Sequence, residues 1–210
     1  MKISYAITYK DESEELSSLL TKLKRWLSDV SYDYEIVVLQ DSDGSAGSIL
    51  PTYDYRVVWN RFDNDFAAHK NFLNEQCKGD FIFQIDADEY PSTILVQAIG
   101  TVIKENPVVD LYWVPRVNTV SGLTTEHIIK WGWSTQVMDG IDLMVVNWPD
   151  YQGRIYRNDP KIRWQGKVHE IIVGADKYTK LPAETMWALF HHKTIKRQEA
   201  QNAKYATMQR

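Results

Sequence analysis

Two carboxylates two residues apart follow an apolar stretch near the middle of the chain. Asp86 and Asp88 come directly after residues 81–85, whose apolar residues predict a buried strand. Both carboxylates can turn toward one hard divalent cation, and Mg²⁺ or Mn²⁺ is commonly held by one or two carboxylates together with substrate phosphates. The pair therefore predicts binding of a metal-bridged diphosphate. The alternative is two acidic turn or cap residues ahead of Pro91.

Further polar residues follow or flank the neighbouring predicted strands. Thr8 and Tyr9 end the first strand and are candidates for packing a nucleobase, and Asp41 follows the second and is a candidate partner for a base or ribose. Lys70, on the helix before the fourth strand, is a candidate phosphate contact. Each has an ordinary alternative: Thr8 and Tyr9 would reflect strand-end propensity and Asp41 a turn. Lys70 would then be solvated or paired with Asp65. Together they predict a nucleoside-diphosphate site.

These residues depend on an alternation of strands and helices over the first half of the chain. Hydrophobic periodicity predicts strands near residues 3–9, 34–39, 55–59 and 81–85, and helices near residues 16–27, 66–77 and, opened by Pro91, 91–104. Alternation of this kind predicts an α/β fold, with a mostly parallel central sheet flanked by helices. Ligands bind such sheets at the carboxyl ends of the strands, where the polar residues cluster.

The pattern changes from Asp110 onward to short strands and aromatic-rich loops. Strands are predicted near residues 111–114, 143–148, 154–156 and 168–173, with a last helix over about 195–208. A long loop over residues 124–140 is expected to cover the site as a lid. Six of the eight tryptophans lie in this half. They are candidates for a platform under a sugar or base, with core filling as the alternative.

Composition and charge narrow the classes of function. The chain has 210 residues, 44% of them hydrophobic and 25% charged, as in ordinary globular proteins. A single cysteine excludes an internal disulfide and a cysteine-based zinc cluster, and it favours a cytoplasmic location. No apolar run approaches the roughly 20 residues of a membrane span, so no transmembrane segment is predicted and any membrane contact would be peripheral. Net charge is −9 over residues 1–110 and +5 over residues 111–210, which predicts an anion-binding or simply solvated second half.

Seven sequence blocks extend these observations along most of the chain. They read ITYKDE at residues 7–12, EIVVLQDSDG at 35–44, NDFAAHKN at 64–71, GDFIFQIDADE at 79–89, PDYQGRIYRN at 149–158, GKVHE at 166–170 and LFHH at 189–192. In this order they resemble family-2 glycosyltransferases of the GT-A fold, and they are particularly similar to the small branch that includes lipopolysaccharide-core transferases. Lys70 departs from the family, which usually has arginine there, so a bidentate phosphate contact becomes a point charge.

The resemblance implies inverting, metal-dependent transfer of a sugar from a nucleoside-diphosphate donor to an acceptor hydroxyl. It implies one domain over residues 1–210, with a nucleotide-sugar-binding half (1–110), an acceptor-binding and catalytic half (111–210) and a C-terminal helix. Thr8, Tyr9 and Asp41 would hold the nucleoside. Asp86 would contact the ribose or sugar, and Asp88 would bind the Mn²⁺ or Mg²⁺.

The resemblance also suggests catalytic and charge-neutralising residues. Glu170 is the first choice for the general base that takes the acceptor proton, and Asp150 is the second. Basic side chains would neutralise the negative charge that develops on the leaving diphosphate, and the candidates are Arg154, Arg157, Lys193 and Lys196. His191 or His192 would add a metal ligand or a phosphate hydrogen bond. Adjacent residues of a strand point to opposite faces, so only one of the two is expected at the site.

Several alternatives remain at this point. The acceptor class expected first is a saccharide or lipopolysaccharide-type glycan; a hydroxylated base in DNA and a protein side chain are the others. A nucleotidyltransferase would share the sheet, but it would usually carry a glycine-rich loop after the first strand, and residues 8–13 contain no glycine. A non-catalytic carbohydrate-binding domain would keep the tryptophans without needing Asp86 and Asp88.

Overall fold

The computed structural model describes residues 1–42 and 54–208, and the turn predicted at residues 43–45 lies outside these ranges. The helices and strands are, in chain order, β1 (Lys2–Tyr9), α1 (Ser13–Leu27), β2 (Asp33–Asp41), β3 (Arg56–Asn60), α2 (Phe66–Gln76), β4 (Phe81–Asp86), β5 (Glu89–Pro91), α3 (Thr93–Glu105), β6 (Leu111–Val114), β7 (Arg116–Ser121), α4 (Thr125–Trp131), β8 (Thr135–Met138), β9 (Ile141–Val146), β10 (Gln152–Arg157), β11 (Arg163–Gln165), β12 (Ile171–Val173), β13 (Tyr178–Lys180), β14 (Leu189–Thr194) and α5 (Ile195–Met208).

The central sheet contains strands from both halves of the chain. In the described part of the chain its order is β13-β6-β10-β4-β1-β2-β3. β1 pairs in parallel with β2 and β4, and β2 pairs in parallel with β3. β10 lies between β4 and β6 and is antiparallel to both. The predicted α/β class with a mostly parallel sheet is confirmed, and β10 brings the second half of the chain directly beside β4.

Helices cover both faces of this sheet because its central strands are apolar on both sides. Side chains of β1 alternate: Ile3, Tyr5 and Ile7 join the cluster that contains the apolar faces of α1 and α3. Ala6 joins the opposite cluster, to which α2 contributes Leu73. The leucines of α1 follow helical spacing, and each fully buried one stabilises the fold by about 1.5–3 kcal/mol; they are Leu16, Leu19, Leu23 and Leu27.

A second, smaller sheet lies beside the carboxyl end of β4. Its described strands have the order β5-β14-β7-β9-β8. β14 is parallel to β7 and antiparallel to β5, which follows Asp88 by one residue. Along β14, burial alternates strictly: His191 and Lys193 are buried, whereas His192 and Thr194 are exposed. This alternation decides which side chains of the C-terminal segment reach the cleft.

Three predicted local structures are wrong in detail. Pro91 ends β5 instead of opening a helix, and α3 begins after Ser92, whose Oγ accepts the Leu95 N–H at 3.0 Å. The expected loop over residues 124–140 contains α4 and β8, because Thr124 forms a capping box and the left-handed Gly132 ends the helix. Strand β12 begins only at Ile171, since His169 has a φ of 56° and interrupts extended backbone.

Candidate active site

A cleft of about 860 Å³ opens where β1, β2 and β4 end. Side chains from both halves of the chain line it, including α5 and the loop before β12. Eleven of the twelve predicted site residues lie on its walls: Thr8, Tyr9, Asp41, Lys70, Asp86, Asp88, Asp150, Arg154, Glu170, His191 and Lys193. The carboxyl edge of the sheet is therefore where the structure brings the candidate chemistry together.

Asp86 sits at the centre of an ion-pair network on the floor of the cleft. Thr8 Oγ1 donates to its Oδ1 at 2.9 Å, and Arg154 Nη2 donates both to its Oδ2 at 2.9 Å and to Glu89 Oε1 at 2.6 Å. Lys70 Nζ lies 3.5 Å from Asp86 Oδ1. Burial would raise the pKa of Asp86, but the charges of Arg154 and Lys70 outweigh it and hold that pKa well below its ordinary value. Asp86 is therefore a carboxylate whose oxygens are shared among protein donors.

Asp88 has a different environment, beside an imidazole. His191 Nε2 lies 3.2 Å from Asp88 Oδ2. His191 Nδ1 lies 3.0 Å from Asn118 Oδ1, and the Asn118 amide nitrogen donates to Asp150 Oδ2 at 2.8 Å. Both ring nitrogens of His191 therefore face oxygen atoms, Nδ1 toward Asn118 and Nε2 toward Asp88.

The donor set of Asp88 and His191 suits a hard divalent cation that takes its remaining ligands from a substrate. A carboxylate oxygen and an imidazole nitrogen face one another, and Asn118 orients the imidazole as an outer partner commonly does. Burial would raise the pKa of Asp88, but the contact with His191 outweighs it and lowers that pKa. Within the described residues no group of three or more His, Cys, Asp or Glu side chains is placed to hold a metal ion.

His192 lies away from the cleft. Its Nδ1 is 3.0 Å from Thr119 Oγ1 and its Nε2 is 3.1 Å from Ser121 Oγ, on the exposed face of β14. Adjacent strand residues face opposite sides, so of the two histidines expected as alternatives it is His191 that lines the cleft and His192 that does not. Two of the candidate cations are also elsewhere: Arg157 Nε donates to Asp110 at 3.0 Å, and Lys196 is exposed.

The two candidate general bases differ in how fully their oxygens are used. Asp150 accepts from Arg116 at 2.7 and 3.0 Å and from Asn118 through Oδ2, and from Gln152 at 2.8 Å through Oδ1. Burial would raise its pKa, but Arg116 outweighs that effect and lowers it. Glu170 Oε1 accepts from Lys70 at 2.7 Å, and its Oε2 has no hydrogen-bond partner among the described residues. Glu170 thus keeps one oxygen for an incoming proton.

Lys193 is a buried cation on the wall of the cleft. Its Nζ donates to Gln201 Oε1 on α5, and no carboxylate of the described residues forms an ion pair with it. Burial lowers the pKa of Lys193. A buried ammonium normally requires an anionic partner, so this position suits an anionic ligand.

The opposite end of the cleft contains aromatic and amphipathic side chains. Asp41 accepts the Phe62 N–H at 2.8 Å and forms an ion pair with Lys10 at 2.9 Å. Burial would raise the pKa of Asp41, but these two contacts outweigh it and lower that pKa. The rings of Phe62 and His69 meet edge to face with centroids 5.5 Å apart. Flat rings next to a carboxylate are suited to a nucleobase.

Comparison with known proteins identifies the family. Residues 4–154 match the model of glycosyl transferase family 2. The chain belongs to glycosyl transferase family 2. No curated protein matches it.

Solved structures of S. aureus TarS share the fold of this family-2 glycosyltransferase. The structure of residues 1–349 has a TM-score of 0.57 and 15% identity, and it covers 91% of this chain and 60% of that one. The complex with UDP has a TM-score of 0.59 and 16% identity, and the match covers 91% of this chain and 60% of that one. The complex with UDP-GlcNAc has a TM-score of 0.55 and 16% identity, and the match covers 92% of this chain and 59% of that one. The glycosyltransferase thus spans about 60% of those structures.

Several cleft residues of the glycosyltransferase were not expected from its sequence. Arg116 and Asn118 lie two apart on β7, a strand that the sequence pattern does not predict. Arg197, Gln201 and Tyr205 line the cleft from α5, and their spacing of four residues is the signal that could have identified them. Of the tryptophans in the second half, Trp133 and Trp164 line the cleft.

None of the described helices of this chain has the length and apolar character that a transmembrane helix requires.

Proposed function

We propose that this glycosyltransferase transfers a sugar from a nucleoside-diphosphate sugar to an acceptor hydroxyl, with inversion at the anomeric carbon. The observation that carries the proposal is the corner formed by Asp88, His191 and Lys193, where two metal-type ligands lie beside a buried cation that forms no ion pair with a carboxylate of the described residues. A diphosphate chelating a divalent cation would match this corner in charge and size. The TarS complexes with UDP and UDP-GlcNAc support the same donor class.

The metal-binding part of the proposal assigns Asp88 and His191 as the ligands of Mn²⁺ or Mg²⁺. When bound, such a cation offsets negative charge that develops on the departing diphosphate. Lys193 would meet the same charge directly from β14. Arg154 has a supporting role: it keeps Asp86 ionised and oriented, so that Asp86 can accept hydrogen bonds from a ribose or sugar hydroxyl.

The chemical step requires a base on the side of the anomeric carbon opposite the diphosphate. Glu170 is the residue that we assign to it, because one of its oxygens is free among the described residues whereas both oxygens of Asp150 are engaged. In this assignment the acceptor oxygen attacks the anomeric carbon, the bond from that carbon to the diphosphate oxygen breaks, and Glu170 takes the acceptor proton. Lys70 orients Glu170 through their 2.7 Å contact.

The acceptor that we propose is a saccharide, encountered in the cytoplasm. Trp133, from the turn between α4 and β8, lines the cleft and is partly buried, with the Trp131 ring centroid 4.7 Å from its own, so the part of its ring that borders the cleft is a candidate contact for a sugar ring. Trp164 is buried and packs beneath Lys70, whose Nζ lies 4.5 Å from the ring centroid. Trp164 therefore supports the base-orienting lysine instead of an acceptor.

A binding experiment tests the donor class before the sugar is known. Thermal unfolding of the wild-type chain would be followed with UDP, GDP, CDP or ADP, each with and without Mn²⁺. One nucleoside diphosphate at about 100 times its Kd should raise the free energy of unfolding by about 2.7 kcal/mol, or Tm by about 5–10 °C, only when Mn²⁺ is present. Asp88→Asn should lose the Mn²⁺-dependent shift, and Asp29→Asn, at an exposed site beyond α1, is its control because it also removes one carboxylate. Absence of any metal-dependent shift with all four nucleotides would contradict the proposal.

A further inference from the structure

Helix α5 places a second cation at Asp88. Arg197 Nη1 donates to Glu15 Oε1 at 2.8 Å, and Arg197 Nη2 donates to Glu12 Oε1 at 3.0 Å. The same Nη2 lies 3.5 Å from Asp88 Oδ2. Arg197 therefore connects α5 to the start of α1 and to the carboxylate assigned above as a metal ligand.

Asp88 Oδ2 is the oxygen that both Arg197 and His191 approach. His191 Nε2 lies 3.2 Å from it. A divalent cation bound between Asp88 and His191 would lie within a few ångströms of the guanidinium, and like charges at this distance repel strongly when the surroundings are partly buried. Arg197 and a metal ion are thus competitors for one carboxylate oxygen.

Arg197 has both room and a reason to move toward a bound diphosphate. Its side chain is 33% exposed, whereas that of Asp88 is 16% exposed, so the arginine lies on the open side of the pair. Glu15 accepts from Nη1, and Glu12 shares Nη2 with Asp88, so the two glutamates keep the guanidinium at the cleft. A planar guanidinium fork matches phosphate oxygens, and charge-assisted bonds of this kind are the stronger ones.

We propose that Arg197 is a positioning residue with two partners: it occupies Asp88 while the metal is absent and turns to the donor diphosphate when the metal binds. The inference rests on the proposed function, because it needs a cation at Asp88 and a diphosphate beside it. α5 then becomes part of the donor site, since Gln201 of the same helix holds Lys193.

The two partners give effects of opposite sign for one substitution. Arg197→Gln removes the competitor from Asp88, so Mn²⁺ alone should bind at least about fivefold more tightly. The same variant loses a charge-assisted contact to the diphosphate, so UDP in saturating Mn²⁺ should bind about tenfold more weakly. A merely structural role of Arg197 would weaken both ligands together.

The experiment measures Mn²⁺ affinity by electron paramagnetic resonance and UDP affinity by calorimetry on the full chain. Lys196→Gln is the matched control, since it removes one exposed positive charge from the adjacent position of α5. Arg197→Lys keeps the charge without the fork; it should retain wild-type Mn²⁺ affinity and an intermediate UDP affinity. This variant keeps the test valid if Arg197→Gln disturbs α5.

Each remaining outcome overturns the inference, and they separate it from the proposed function. If the wild type binds Mn²⁺ and UDP but Arg197→Gln behaves like Lys196→Gln, only the role of Arg197 is refuted. Weaker binding of both ligands in Arg197→Gln and Arg197→Lys alike would reduce Arg197 to a structural residue. If the wild type binds neither ligand, the proposed donor site falls and the role of Arg197 falls with it.

Discussion

The two halves of the chain contribute opposite charges to the cleft. The first half supplies carboxylates at or after strand ends, and the second half supplies the cations that face them: Arg154 pairs with Asp86, Arg116 and Arg154 pair with Glu89, and Arg197 approaches Asp88. The −9 and +5 charges of the two sequence halves thus become the two walls of one site.

Several contacts depart from this division, among them Lys10 with Asp41 and Lys70 with Asp86 inside the first half, and two others are informative. Lys70 of the first half bonds Glu170 of the second, so the candidate base is oriented by the donor-binding wall. Asp150 and Arg116 both belong to the second half, and their pair closes within it. We therefore expect the pairs that cross between the halves to contribute to the proposed reaction, and the pair of Asp150 and Arg116 to stabilise local structure. The predictions below test this difference, beginning with the largest effect.

The largest expected effect is on turnover, through the crossing pair of Lys70 and Glu170. Glu170→Gln keeps the size and the hydrogen-bonding capacity of the side chain but cannot take a proton, so kcat should fall by about 10²- to 10⁴-fold with little change in donor affinity. Initial rates with the donor identified in the binding experiment measure this. Asp150→Asn is the comparison within one half, and a larger loss of kcat in that variant at unchanged Tm would reassign the base to Asp150.

The next effect is on stability, through the buried crossing pairs of Arg154. Arg154→Met would leave Asp86 and Glu89 without their shared partner in a buried environment, and loss of one member of a buried pair costs about 3–5 kcal/mol. Arg157→Met is the matched control, because the Arg157 side chain is 34% exposed whereas that of Arg154 is 4% exposed, and ion pairs open to solvent contribute about 1 kcal/mol or less. Urea unfolding of the two variants should separate them clearly; equal losses would show that the crossing pairs have no special weight.

A comparable effect on catalysis is expected at Asp88. Asp88→Asn weakens the candidate metal ligand while leaving the fold intact, and kcat/KM should fall by about 10²- to 10³-fold, as for loss of one strong electrostatic contact to a transition state. Rates would be measured over a range of Mn²⁺ concentrations, with Asp29→Asn as the control. Full activity of Asp88→Asn at low Mn²⁺ would place the metal elsewhere.

The smallest effect concerns the pair within the second half. Arg116 holds the pKa of Asp150 below its ordinary value of 3.8, so the folded state binds this proton less readily than the unfolded chain does. The stability that the pair contributes is then complete above the unfolded-state pKa and is lost as the pH falls through the folded-state pKa. Urea unfolding between pH 6 and pH 3 should show a shallower acid decline for Asp150→Asn than for wild type, and parallel curves would contradict this assignment.

Much of the first half could be predicted from the sequence because its signals are local. Leucines at helical spacing in α1 and apolar runs at β1, β2 and β4 indicate the elements to within a few residues. The edge that gathers Thr8, Asp41 and Asp86 follows from parallel strand pairing alone. In the second half the strands are three to six residues long, too short for periodicity, and β7, β8, β11, β13 and β14 were not delimited.

Parts of the candidate site could not be predicted from the sequence for the same reason, because their signals are not local. Lys70 looks like an exposed helical lysine in the sequence, yet it is buried against Glu170, 100 residues away along the chain. The choice between His191 and His192 needed the face of β14, which depends on its pairing with β7 and β5. Lys196 and Arg197 are adjacent cations of α5, and which of them lines the cleft depends on the orientation of α5 about its own axis, which is not a property of its composition.

The amino-acid order by itself determined the alternating elements, the family likeness and the strand ends at which carboxylates emerge, since each depends on neighbours within a few residues. Only the tertiary structure decided which cation meets which carboxylate. Asp86 and Arg154 are 68 residues apart, and Glu12 and Arg197 are 185 apart. The physical reason is that an ion pair acts over a few ångströms, a separation set by strand order and helix placement rather than by position in the chain.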